Sequence, residues 1–130
     1  MNKRTEIVVA DDNKDAADSL AQLLGLMGHG ALAVYDGRQA VAACRALRPS
    51  LVILDVQMPI MDGVEAARAI RKGSHPLPVI ASLTALKGRQ LPDDVEWALF
   101  DVHLSKPLVP AELDRLLAKA MPAAGQRAAT

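Results

Sequence analysis

Short apolar segments alternate with amphipathic patterns along this chain, and this alternation limits the possible folds more than any other feature. Residues 7–10 and 51–54 are continuous apolar runs. We predict these two segments to be buried strands, with further strands at residues 31–35, 79–83 and 102–104. Between them, apolar residues recur at helical spacing. The predicted helices lie between Asn13 and Gly28 and at residues 40–47, 62–72, 93–99 and 111–121.

Strands that are apolar on both faces are typical of a parallel sheet that helices cover on both sides. We therefore predict an α/β fold, a doubly wound five-stranded parallel sheet with five helices. A chain of 130 residues is long enough for one such domain. We place the domain at residues 1–122 and expect residues 123–130 to form a flexible tail.

The charge and cysteine content narrow the possible partners and compartments. Lys plus Arg and Asp plus Glu both number 15, so no overall field draws the chain onto nucleic acid, and we expect no direct nucleic acid binding. The single cysteine excludes an internal disulfide and suits a cytoplasmic location. Residues 1–6 are polar and no apolar run approaches the roughly 20 residues that span a bilayer, so we expect neither a signal peptide nor membrane insertion.

Polar side chains follow four of the predicted strands, where ligands bind in sheets of this kind. They are Asp11, Asp12, Asp55, Thr84 and Lys106. Three converging carboxylates repel one another, and a hard divalent cation such as Mg²⁺ offsets that repulsion. A carboxylate beside a metal and a lysine can act as a nucleophile towards a phospho-donor, because both cations neutralise charge on the phosphoryl oxygens. A threonine hydroxyl can hydrogen-bond one of those oxygens.

Four motifs carry a resemblance to a known family and cover almost the whole chain. They are IVVADDN at residues 7–13, LDVQMPIMDG at 54–63, LTA at 83–85 and LSKP at 104–107. Together they resemble the receiver (CheY-like) domain of two-component response regulators. The segment DVQMP is similar to receivers attached to hybrid histidine kinases. The resemblance implies the flavodoxin-like receiver fold, and transfer of a phosphoryl group from a histidine kinase or phosphotransfer protein.

The resemblance also implies a metal site. Asp55 would be the phosphoacceptor and, with Asp12, a direct Mg²⁺ ligand. Asp11 would act through water, and the backbone carbonyl of Gln57 would be a further ligand.

Three further residues would link the phosphoryl group to the output surface. Lys106 would pair with the group, Thr84 would move towards it, and His103 would occupy the family's aromatic switch position. The switching surface would be the face of the fourth helix, fifth strand and fifth helix, and phosphorylation would permit a homodimer through that face. The domain would not be an enzyme for other substrates, because it catalyses only its own phosphorylation and dephosphorylation.

The sequence departs from the family pattern in two places, and a third residue, Leu86, bears on the lifetime of the phosphoryl group. The segment from Pro78 to Thr84 is one residue longer than usual, which predicts a bulge in the fourth strand, with Ser82 as the alternative switch hydroxyl. Leu99 stands where the family commonly has glycine before the fifth strand, so the fourth helix is expected to end differently. Leu86 lies where an attacking water would approach, which predicts slow self-dephosphorylation.

Three other functions compete with this interpretation. A pseudo-receiver would bind partners without phosphorylation, although the acids and the lysine are all retained. A haloacid-dehalogenase-type phosphatase needs a titratable acid at position 57, where this chain has Gln57. A flavodoxin-like electron carrier needs phosphate-binding donors after the first strand, where Asp11 and Asp12 repel phosphate. The sequence leaves open the cognate kinase, the downstream target, the oligomeric state, and whether the chain is free-standing or part of a hybrid kinase.

Overall fold

The computed structural model describes residues 5–56, 58, 61–73, 76–85 and 97–121. Its strands are β1 (Ile7–Ala10), β2 (Ala31–Val34), β3 (Leu51–Asp55), β4 (Val79–Thr84) and β5 (Val102–Ser105). Its α-helices are α1 (Lys14–Leu26), α2 (Gly37–Leu47), α3 (Gly63–Gly73) and α4 (Pro110–Ala120), and Trp97–Leu99 form a 3₁₀ helix.

The five strands form one parallel sheet in the order β2-β1-β3-β4-β5. Side chains alternate between the two faces of a strand, and each face of this sheet has its own apolar core. On one face, Val8, Val52 and Ile80 pack with residues of α2 and α3. On the other, Val9 and Ile53 pack with residues of α1 and α4. The predicted doubly wound parallel sheet is therefore confirmed.

The described residues contain four α-helices where the sequence predicted five. Most of the predicted fourth helix, residues 93–96, lies outside the described residues, and its last three residues form the 3₁₀ helix. A contact from another element holds this turn, because Arg71 Nε donates a 2.7 Å hydrogen bond to the carbonyl oxygen of Leu99. Among the described residues other than glycine, only Arg48 has a positive φ, so Leu99 fits the turn in ordinary backbone geometry.

The prediction of a bulge in the fourth strand is wrong. β4 pairs with β3 without interruption from Leu51↔Val79 to Asp55↔Leu83. It pairs with β5 equally regularly, from Ala81↔Val102 to Thr84↔Ser105. The additional residue lengthens the paired strand instead of looping out of it.

The other element boundaries agree with the sequence to within a few residues. α2 begins three residues earlier than predicted, because the Asp36 carboxylate accepts a 2.8 Å hydrogen bond from the amide of Gln39 and caps the helix at that point. No helix among the described residues has the length and apolar content needed to cross a membrane.

Candidate functional site

Two buried carboxylates lie side by side at the carboxyl edge of the sheet. Asp55 is the last residue of β3, and Asp11 directly follows β1, its neighbour in the sheet. The register Ala10↔Leu54 makes them adjacent and puts them on the same face. Asp11 is 1% exposed and Asp55 is 6% exposed. Ionised groups this deeply buried need compensating charge or hydrogen bonds.

Asp12 completes a cluster of three acids. One carboxylate oxygen from each of Asp11, Asp12 and Asp55 lies within 4.8 Å of the other two. Asp12 is exposed, so the cluster opens to solvent on its side. Two hydrogen bonds fix the turn between β1 and α1 that carries Asp11 and Asp12. Asp11 Oδ1 accepts a 3.0 Å hydrogen bond from the amide of Asn13, and Asn13 Oδ1 caps the helix by accepting from the amide of Ala16.

Lys106 supplies positive charge to the two buried acids. Its Nζ lies 3.0 Å from Asp11 Oδ2 and 2.9 Å from Asp55 Oδ2. Its backbone amide donates to the carbonyl oxygen of Thr84, which fixes the chain as it leaves β5. Burial opposes the charged form of Lys106. Hydrogen bonds to Asp55 and Asp11, together with their negative charge, outweigh that effect and raise the pKa of Lys106 above its ordinary value.

The donor set of this cluster fits a magnesium ion. It offers three carboxylates and no nitrogen or sulfur ligand, which is the chemistry that a hard cation such as Mg²⁺ selects. Asp11, Asp12 and Asp55 are the residues that would hold the ion. The carbonyl of Gln57, predicted as a further ligand, lies outside the described residues, as does Leu86.

The two candidate switch hydroxyls occupy different positions along β4. Thr84 is buried and ends the strand at the same edge as Asp55. Ser82 lies two residues back within the sheet, fully buried, and its hydroxyl is 3.1 Å from Nδ1 of His103 on the paired strand. Of the two hydroxyl residues, Thr84 is therefore the one at the strand end that lies at the edge of the acid cluster.

His103 is exposed and lies in an aromatic group that the sequence did not predict. Its ring centroid is 5.4 Å from that of Trp97 in an edge-to-face arrangement and 6.2 Å from that of Phe100. The hydrogen bond to Ser82 was also missed. Only the register between β4 and β5 brings these side chains together, and no local pattern reports that register.

The sheet order and the acid–lysine edge place this chain in the class of doubly wound α/β receiver-type domains. The family model described as the response regulator receiver domain matches residues 7–118, and the chain belongs to that family.

Curated relatives of the chain include two regulators from Mycobacterium tuberculosis. The transcriptional regulatory protein PrrA is 34% identical over 110 residues, which cover 82% of this chain and 46% of PrrA. The DNA-binding response regulator MtrA is 36% identical over 115 residues, which cover 85% of this chain and 47% of MtrA. The chain therefore spans about half the length of these relatives.

A similar solved structure is the receiver domain of the sensor histidine kinase PA1611 from Pseudomonas aeruginosa, with a magnesium ion coordinated in its active site cleft. It is 30% identical, has a TM-score of 0.77, and the match covers 92% of this chain and 99% of that domain.

Proposed function

We propose that this chain is a phosphoacceptor receiver in two-component signal transduction, and that Asp55 takes the phosphoryl group in a Mg²⁺-dependent reaction. One observation carries the proposal. The buried Asp55 carboxylate accepts a hydrogen bond from Lys106 and lies beside the carboxylates of Asp11 and Asp12. This arrangement pairs a nucleophile with a cation and a set of metal ligands, which are the components that phosphoryl transfer requires.

The chemistry at Asp55 follows from these contacts. A carboxylate oxygen of Asp55 forms a bond to phosphorus while the P–N bond of a phosphohistidine donor breaks, and the released imidazole takes up a proton. Lys106, already bonded to Asp55, offers its ammonium hydrogens to the phosphoryl oxygens. Mg²⁺, when bound, would supply further positive charge to the same oxygens. Thr84 ends its strand at this edge, where its hydroxyl would donate to the new phosphoryl group.

The relatives support the coarse features of this proposal. The magnesium ion belongs to the PA1611 receiver, and the acid cluster here has the oxygen ligands that such an ion needs. A histidine kinase or phosphotransfer protein is the partner that the proposal requires. PrrA and MtrA are named as transcriptional and DNA-binding regulators, but the match covers less than half of each. The absence of direct nucleic acid binding, dimerisation on phosphorylation and a cytoplasmic location remain predictions.

The proposal is tested by intact-protein mass after incubation with phosphoramidate or acetyl phosphate, with and without Mg²⁺. We expect the wild-type chain to gain one phosphoryl group only when Mg²⁺ is present. Asp55→Asn should gain none, whereas Asp114→Asn, a change at an exposed acid on α4, should behave as wild type. If the folded wild-type chain gains nothing, the pseudo-receiver replaces this proposal.

A further inference from the structure

The connection between β3 and α3 begins at Val56 and ends before Gly63, and both of these residues contact the backbone around Asp55. At its start, the amide of Val56 donates a 3.1 Å hydrogen bond to the carbonyl oxygen of Leu83. At its end, the amide of Gly63 donates to the carbonyl oxygen of Val56. A Cβ atom on Gly63 would lie 2.9 Å from Val56 Cα and closer still to the Asp55 carbonyl oxygen. The positions of Val56 and Gly63 are therefore tied to that of Asp55.

A third contact comes from another part of the chain. Gly37, the first residue of α2, donates its amide to the carbonyl oxygen of Met61 at 3.0 Å. A Cβ atom at residue 37 would lie 2.9 Å from the Met61 carbonyl carbon and closer still to its oxygen. Gly37 does not have a positive φ. Position 37 therefore needs a glycine because a side chain has no space there, and not because of the backbone conformation.

The end of α2 cannot easily move away from Met61. The side chain of Asp36 caps the helix, and Gln39 Oε1 accepts a 2.8 Å hydrogen bond from the amide of Tyr35. The Tyr35 hydroxyl in turn donates to Asp18 on α1 at 2.6 Å. In the first turn of α2, Ala40 is fully buried. An added atom at position 37 is therefore expected to displace the connection and not the helix.

We propose that Gly37 is a positioning residue for the Asp55 site. It acts through Met61, because the amino end of α2 lies close enough to Met61 to hold it, and Gly63 two residues later, against the backbone of Asp55. This inference rests on the proposed function, because the consequence of a displaced connection is a weaker site for Mg²⁺ and a slower phosphoryl transfer. Gly37 does not itself contact the reacting groups.

The test compares Gly37→Ala with two controls in the full chain. Gly25→Ala adds the same atom to a glycine whose Cβ would meet nothing within 4 Å. Ile7→Val trims the core at the amino end of β1, at the opposite edge of the sheet, and so lowers stability without touching the connection. Mg²⁺ affinity is measured by calorimetric titration, and backbone amide shifts are recorded by NMR in the absence of metal.

We expect Gly37→Ala to raise the Mg²⁺ dissociation constant roughly 10-fold, the scale of a lost outer-shell contact. In the metal-free protein, the amide signals of Val56 and Met58 should move. Both controls should keep the wild-type Mg²⁺ affinity, although Ile7→Val is less stable. A purely structural role for Gly37 would lower the melting temperature and leave the Mg²⁺ affinity of the folded protein unchanged.

The possible failures are distinguishable. If the wild-type chain neither binds Mg²⁺ nor gains a phosphoryl group, the proposed function fails. If wild type does both and Gly37→Ala keeps full affinity, the inference about Gly37 is overturned. Should Gly37→Ala not fold, Asp36→Ala decides, since it loosens the same helix end without adding an atom. Weaker Mg²⁺ binding by Asp36→Ala supports the inference, and unchanged binding overturns it.

Discussion

Replacing Lys106 with methionine should destabilise the metal-free protein, because it removes the cation between two buried carboxylates. Lys106 makes hydrogen bonds of 3.0 and 2.9 Å to side chains that are only 2% and 8% exposed. A hydrogen bond to a charged group contributes about 1.5–3 kcal/mol, and the two bonds share one ammonium. The lysine side chain is itself 30% exposed, so solvent screening reduces the sum. We expect a loss of about 2 kcal/mol in the free energy of unfolding at neutral pH.

The assay is urea denaturation of wild type and Lys106→Met, with and without saturating Mg²⁺. Without metal, the loss of about 2 kcal/mol corresponds to a melting temperature roughly 8 °C lower for a chain of this size. With Mg²⁺ the free energies of unfolding of the two proteins should differ by no more than about 1 kcal/mol. The ion supplies positive charge to the same carboxylates, and in Lys106→Met it does not compete with the lysine for them.

Lys72→Met is the matched control, since Lys72 is exposed on α3, and it should change stability by less than about 0.5 kcal/mol. The reasoning is refuted if Lys106→Met is as stable as wild type without metal, or if its deficit is the same with and without Mg²⁺.

Three further predictions concern groups outside the acid cluster. Gly25→Ala should stabilise the protein by about 0.5–1 kcal/mol in urea denaturation, because alanine restricts the unfolded chain and position 25 has free space; a loss of stability would contradict this. The hydrogen bond to Asp18 raises the pKa of Tyr35 above 10.0, so the phenolate absorbance of this single tyrosine should appear at lower pH in Asp18→Asn. Burial raises the pKa of the Cys44 thiol to about 12. At about pH 8 the native protein should therefore react with a thiol reagent far more slowly than the unfolded protein, and equal rates would exclude a buried thiol.

The sequence predicted the sheet and its acidic edge because both depend on local patterns. Residues 7–10 and 51–54 are apolar without interruption, which is typical of a strand buried on both faces. Asp11 and Asp55 follow these strands directly, so the parallel arrangement alone brings them to one edge. Lys106 was placed there by the same argument, and the contacts with both acids agree with it.

The features that the sequence could not predict depend on contacts between distant residues. Comparison with the family pattern indicated an additional residue before the end of the fourth strand, but only pairing with β3 and β5 decides between a bulge and a longer strand. The turn at Leu99 is held by Arg71, which lies 28 residues earlier and carries no local signal of that role. The contact between Ser82 and His103 likewise depends on the register of two parallel strands.

The two acids and the lysine that contacts them come from distant parts of the chain, and this distance determines when in folding their contacts can form. Asp11 and Asp55 belong to β1 and β3, whereas their cation follows β5, 51 positions after Asp55. During synthesis both acids leave the ribosome well before the lysine, and the contact joins segments far apart in the chain. A nascent or partly folded chain thus carries two acids whose counter-ion has not arrived. The two contacts of Lys106 with the acids accordingly depend on the pairing of β5 with β4, and a chain in which β5 is not yet paired lacks them.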